Sequence, residues 1–304
     1  MRSSNIGGQA VLEGIMMRNG GKYSVAVRKP DGEIESEVWD YHSVIPWKVL
    51  LKIPFIRGVV ILLESLFVGT GELTFAANQA GEEEEELTKP QLILTLAVSL
   101  LFGMGLFIIL PSIIGGVVFR NSTALSSVLE GLLRVIIFLS YIYLISRNKE
   151  IKRVFQYHGA EHKSIYVFEN KEELEFENAK KYTTLHPRCG TSFLFIVMMV
   201  SILIYSTLDV IIPKPDTHLM RILLKVGIRF GFMPIVAGLS YEIQKYSSRH
   251  MDNPLVSLLA LPGLKLQNIT TQEPDESQLE VGMTALRASL NMEVNAINIE
   301  EEQK

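Results

Sequence analysis

The sequence has a single cysteine, Cys189, in 304 residues, so no internal disulfide can staple the fold. It also lacks a basic surplus. There are 29 Lys and Arg against 33 Asp and Glu, a net charge of −4 with a pI near 5.9, which argues against a general nucleic-acid binder. The first residues are polar and glycine-rich with no hydrophobic run, so no cleavable signal peptide is expected and the spans themselves must direct insertion. Charge is missing altogether from Leu92 to Phe119. About 20 apolar residues suffice to cross a bilayer, so that run excludes a plain soluble enzyme. The bulk composition alone would not have done so, at 48% hydrophobic and 20% charged.

What is present reads as a mainly α, polytopic membrane helical bundle. About four spans are expected, at 92–114, 125–146, 191–212 and 222–242. Pro111 falls near the far end of the first, where breaking a helix costs least. Arg147, Lys149, Lys152 and Arg153 crowd the exit of the second span, whereas Arg120, Lys214 and Arg221 are the only cations in the two opposite loops. The positive-inside rule then places 147–190 and both termini on the cytoplasmic side of the cell membrane.

Residues 1–44 read as a small β-rich element, with a turn signal at Lys29-Pro30-Asp31-Gly32. Its upstream Gly7-Gly8 pair reads as a tight turn leading into an apolar strand. A functional alternative has Glu13 and Arg18 pointing into a site. Residues 45–80 are apolar but interrupted by Lys52, Arg57, Glu64 and Glu72. They suit an interfacial or half-inserted helix, or a soluble helix packed on the cytoplasmic domain. An acidic linker, 81–91, precedes the paired spans of 92–146. The 147–190 segment should begin as a helix continuing out of the membrane, with a short helix near Glu175–Tyr182, before the spans of 191–243. In 244–292, Pro254 and Pro262-Gly263 should break the chain. A helix then opens at Pro274-Asp275-Glu276, striped by Leu279, Met283, Leu286 and Leu290. The acidic end, 293–304, reads as a disordered tail.

The strongest potential soft-metal ligands cluster in one segment. His158 and His162 are four apart, so on a helix both imidazoles share a face, and Glu161 beside them gives His-x-x-Glu-His, the inverted zincin order with the glutamate as general base. His186 and Cys189 form a second close pair on a turn stiffened by Pro187. Four protein ligands would close a structural zinc site, whereas three leave a position for water. Glu242 is a candidate third ligand, and Arg188 could steady an anionic group on a substrate. The alternative is that these histidines bond to carboxylates and that Cys189 is an inert small residue. Within the spans, Glu130 and Arg134, and likewise Lys225 and Arg229, are i,i+4 pairs, and Asp209 could reach Lys225. Such groups either pair between spans or line a polar cavity that admits a lipid-linked or amphipathic substrate.

Four motifs, GGQAVLEGIMMR (7–18), YHGAEHKSIYVFEN (157–170), LHPRCGTSF (185–193) and TTQEPDESQLEVGMTAL (270–286), together resemble the YqhQ-like family of bacterial membrane proteins. That family has no known function and is described as a predicted metal-dependent enzyme. The resemblance implies a multi-span bacterial membrane protein, and the family motifs match at Glu13, His158, Glu161, His162, His186, Arg188 and Cys189. Two functions are therefore expected to compete. One is a membrane-embedded, metal-dependent, hydrolase-like enzyme acting at the cytoplasmic face, with zinc as the metal and a lipid-linked or membrane-protein substrate. The other is a non-catalytic scaffold or assembly factor with a structural His/Cys clip, docking partners through the 275–290 helix. A transporter is disfavoured, since no inverted repeat or paired broken helices stand out.

Overall fold

Alternating and apolar stretches near the N-terminus fold as strands in the computed structural model, which describes residues 6–40, 48–64, 76, 79, 89–118, 123–212, 215 and 217–291. The strands β1 (Ile6–Val11), β2 (Gly14–Asn19), β3 (Lys22–Arg28) and β4 (Ile34–Asp40) form an antiparallel meander in sequence order. The Lys29–Gly32 turn closes β3 onto β4 as expected, with Gly32 at φ +91° and Asp31 accepting from Glu33 N at 2.9 Å. The Gly7-Gly8 pair, however, lies inside β1. The turn comes at Leu12-Glu13, where Glu13 takes φ +48°.

Both faces of the sheet are buried. Ile6, Ile15, Met17 and Ala26 point one way, and Val11, Met16, Val25 and Val27 the other. The first face is covered by α5 (Lys149–Glu169), α6 (Phe176–Lys180) and α10 (Glu276–Ser289). Asp275 and Gln278 close a capping box on α10. Its stripe of Leu279, Met283 and Leu286 is 0–2% exposed against this sheet, each side chain contributing about 1.5–3 kcal/mol by burial. The stripe is thus consumed inside the domain rather than offered to a partner. Nor does α5 continue the preceding span. The chain breaks at 146–148, and Asn148 restarts the helix by accepting from Glu150 N and Ile151 N.

Four helices are long and apolar enough to cross a membrane, at Ile93–Gly115, Leu125–Ile145, Gly190–Ile211 and Leu223–Arg249. They belong to α2 (Lys89–Met104) with α3 (Leu110–Val118), α4 (Thr123–Ile145), α7 (Gly190–Ile211) and α8 (His218–Arg249). Leu100, Leu144, Leu203 and Ile211 are 66–70% exposed on them, a surface suited to lipid rather than water.

Pro111 does not end its helix. A π-turn at Gly105–Ile109 absorbs it, and the chain stays helical to Val118. Pro111 cannot donate to the Phe107 carbonyl as an ordinary helical residue would, and Arg134 Nε donates there at 2.8 Å. Arg134 therefore turns to the backbone of a neighbouring helix. Its i−4 neighbour Glu130 pairs across the bundle with Lys225 and Arg229 and accepts from Ser112 and Ser126 at 3.2 and 3.3 Å. Asp209 lies 3.8 Å from Lys225 and accepts from Ser127 at 2.7 Å. Gly115 leaves the room this needs, since a Cβ there would sit 2.5 Å from Glu130 Cγ.

Of the 45–80 segment, α1 is helical over residues 56–64 and packs on α8. Gly58 abuts Tyr241, and Gly238 abuts the Phe55 carbonyl. After α8 the chain turns at once into α9 (Pro254–Thr270), with Asn253 as cap and Pro254 in the first turn. Pro262-Gly263 does not break it, because Gly263 seats α9 against Ser192, where a Cβ would lie 3.1 Å from Ser192 Oγ. The acidic run 82–86 and the tail 293–304 lie outside the described residues.

Candidate metal centre

Helix α5 carries His158 and His162 on one face, and α7 begins at Cys189, its N-cap residue. One ligand atom from each of His158, His162 and Cys189 lies within 4.8 Å of the others. Cys189 Sγ is 3.2 Å from His158 Nε2, and the two imidazoles stack edge-on with centroids 4.6 Å apart.

The outer atoms of both imidazoles are already committed. His158 Nδ1 donates to the Thr270 carbonyl at 2.8 Å, and His162 Nδ1 donates to the Thr184 carbonyl. A carbonyl only accepts, so each ring carries its proton on Nδ1 and presents a bare Nε2. This backbone orientation of a ligating histidine is what metal sites use. Ligands at about 2.0–2.3 Å from one tetrahedral ion stand about 3.3–3.8 Å apart, so the cluster fits a metal with little adjustment. Sulfur with two imidazoles is a soft donor set, of the kind late transition metals take rather than magnesium or calcium.

Several residues that no motif reveals hold this arrangement. Gln267, fully buried on α9, accepts from His186 N at 2.7 Å and donates to His186 O at 2.9 Å and Ser192 Oγ at 2.7 Å. Gln244 on α8 donates to the Cys189 carbonyl at 2.8 Å. The turn bearing Cys189 is thus fixed from two helices. Gly159 lets the chain after α9 pass, since a Cβ there would lie 2.0 Å from the Gln272 carbonyl, and Gln272 N donates to Phe155 O at 2.9 Å. That crossing brings Thr270 to His158.

Glu161, 5% exposed, is held against β1. A Cβ on Gly8 would lie 2.8 Å from its Cγ, and the Gly8 N–H donates to its carboxylate. Burial pushes its pKa up to about 7, against the pull of His158 and of that hydrogen bond. A cleft of about 410 Å³ opens over Glu161 and the three ligands. Its walls come from β1, α5 and the start of α7.

The other expected site residues do not join the three ligands, although His186 and Arg188 line the cleft. His186 is outside the three-residue group: its Nε2 faces Glu169 at 3.5 Å, its Nδ1 accepts from Arg188 N at 3.3 Å, and burial lowers its pKa to about 4. Its ring still packs on His162, with centroids 5.5 Å apart. Arg188 lines the cleft but pairs with Glu169. Glu242 on α8 pairs with Arg57 and accepts from Phe55 N at 3.3 Å. Glu13 bonds Arg153, at 2.6 Å from Nε, and Tyr157 at 3.1 Å, which hold its carboxyl below the usual range. Arg18 lies on β2, opposite Gly7, and neither Glu13 nor Arg18 lines the cleft.

A family model described as "Protein of unknown function (DUF1385)" matches residues 53–292. The chain belongs to the DUF1385 family. It is also similar to the protein named "Uncharacterized protein YqhQ" of Bacillus subtilis (strain 168), at 33% identity over 94% of this chain and 92% of the relative. That likeness extends beyond the family model and takes in most of the chain. No solved structure matches.

Proposed function

We propose that the protein is a metal-dependent hydrolase of the bacterial inner membrane, holding zinc through His158, His162 and Cys189. The observation that carries this is the pair of Nδ1–H groups spent on the Thr270 and Thr184 carbonyls, which leaves two bare Nε2 atoms beside a buried thiol. Three protein ligands leave a fourth position toward the cleft, the pattern of catalytic rather than structural zinc. When bound, the metal acidifies water and polarises a carbonyl or phosphoryl oxygen.

This chain's own residues supply the rest. Glu161 accepts the proton of the attacking water and returns it to the leaving group. The Gly8 N–H keeps its carboxylate turned toward the cleft wall. Arg188, already neutralised by Glu169, shapes the cleft more than it charges it. With 147–190 in the cytoplasm, the cleft faces the reducing compartment where a free cysteine stays a ligand. Its position at the start of α7 suits a lipid-linked or membrane-protein substrate.

The non-catalytic scaffold is the weaker alternative, since its intended docking stripe on α10 is buried and its fourth ligand His186 faces Glu169. Elemental analysis of the detergent-purified protein tests the proposal. About one zinc per chain is expected, lost in His158→Ala and His162→Ala. A Glu161→Gln variant that keeps zinc and still fully complements a deletion refutes the enzyme reading.

A further inference from the structure

The sheet ends at the cleft. Among the described residues β1 pairs only with β2, and its outer side lines the cleft from Ile6 to Ala10. In an antiparallel ladder, backbone groups alternate between facing the neighbouring strand and facing away. Val11 and Gly14 close the hairpin around the two-residue Leu12-Glu13 turn, so Val11, Gln9 and Gly7 bond inward while Ala10 and Gly8 face out. The Gly8 N–H is turned to Glu161, so the Ala10 N–H and C=O and the Gly8 C=O are what the edge offers a new neighbour. Among the described residues, no other backbone group pairs with this outer edge.

We infer that the cleft binds an extended polypeptide segment as substrate, added as a fifth strand along β1 so that one of its amide bonds lies over Glu161 and the His158–His162–Cys189 cluster. This rests on the metal-hydrolase reading and names the substrate class for it. Outward N–H and C=O groups recur along an edge every two residues, about 6.6–6.8 Å, and a peptide backbone matches both the spacing and the alternation of donor and acceptor. A lipid ester offers acceptors only and leaves the edge carbonyls unmet. In the reaction, the water oxygen bonds to the amide carbonyl carbon and the C–N bond breaks. One water proton passes through Glu161 to the leaving nitrogen and the other also ends on it, giving a carboxylate and an ammonium group. Leu194, 47% exposed in the first turns of a candidate span, forms the opposite wall. The polypeptide within reach is therefore one whose chain leaves the bilayer beside α7.

The test uses the full chain in nanodiscs, with a mixture of proteome-derived tryptic peptides as the probe and phospholipid vesicles as the competitor class. In the metal-free chain, the peptides should slow deuterium exchange of the 6–11 segment by about tenfold and leave β4, the other edge, unchanged. Ala10→Pro removes an outward N–H while keeping the inner ladder, as proline at an edge permits, and should abolish that protection. The wild-type exchange measurement decides the matter whether or not this variant folds. In the zinc-loaded chain run in 18O-water, new peptide C-termini should each carry one heavy oxygen, and Glu161→Gln should remove them. Unchanged exchange at 6–11, or phospholipid cut while peptides stay intact, overturns the inference. Protection at 6–11 in a chain that binds no zinc upholds strand addition and sinks the hydrolase reading instead.

Discussion

Glu130 and Glu161 are both buried carboxylates on helices, 1% and 5% exposed, and their surroundings are opposite in kind. Glu130 meets two cations, Lys225 and Arg229, and two hydroxyls, so its charge is neutralised on every side. Among the described residues, Glu161 meets one backbone N–H and the imidazole of His158. One cluster is closed within the candidate spans. The other is oriented from behind by backbone carbonyls and left open in front. The difference separates polar burial that holds helices together from polar burial left open on one side to a cleft.

The largest expected effect breaks the closed cluster. Glu130→Ala strands Lys225 and Arg229 and should cost about 3–5 kcal/mol, seen as loss of folded protein in detergent. Gly159→Ala comes next and carries a sign test. Helix propensity alone favours alanine by about 1 kcal/mol, but a Cβ placed 2.0 Å from the Gln272 carbonyl must push the 270–273 segment away. A net destabilisation of about 2 kcal/mol is expected, together with about 10–100-fold weaker zinc affinity as Thr270 leaves His158. A stabilised variant would contradict this account of the crossing.

Cys189→Ser should abolish zinc binding while changing metal-free stability by only about 1 kcal/mol, measured by elemental analysis beside thermal unfolding. If it instead unfolds the metal-free chain as Glu130→Ala does, the two clusters are alike and the open one is structural. Glu13→Gln is the smallest. Its pair with Arg153 is half-exposed, so at neutral pH the loss should be at most about 1 kcal/mol. The Glu13 carboxyl is lowered in the folded chain, so its contribution exists above the ordinary carboxylate range and fades as pH falls through the folded value. The wild type and the variant should converge in acid.

Much of this was legible because it depends on local periodicity. The four candidate spans fall close to where uncharged runs placed them, and i,i+4 spacing put His158 and His162 on one face. Asp209 reaches Lys225 as depth along the spans suggested. Most of the failures are tertiary. His186 has the right chemistry and spacing for a ligand, but Glu169, two α5 turns beyond His162, lies opposite its Nε2. Glu242 was claimed by Arg57 across the α1–α8 contact. Gly7-Gly8 looked like a turn, because a glycine that makes room for another element, as Gly8 does for Glu161, resembles one that bends its own chain. The Leu279–Leu286 stripe announced an amphipathic helix without saying that its own sheet would cover it.

The π-turn before Pro111 has a mechanical consequence. A proline in a membrane helix is commonly a place where the helix can swing. Here the carbonyl that Pro111 leaves without its usual donor is held by Arg134 from α4, a buried side chain beside Glu130 and Arg229. Widening the bend would cost that charged hydrogen bond, at about 1.5–3 kcal/mol. The break in α2–α3 is therefore a braced elbow, stiffer than its proline alone would suggest, whereas the three-residue gap between α4 and α5 has no such brace among the described residues.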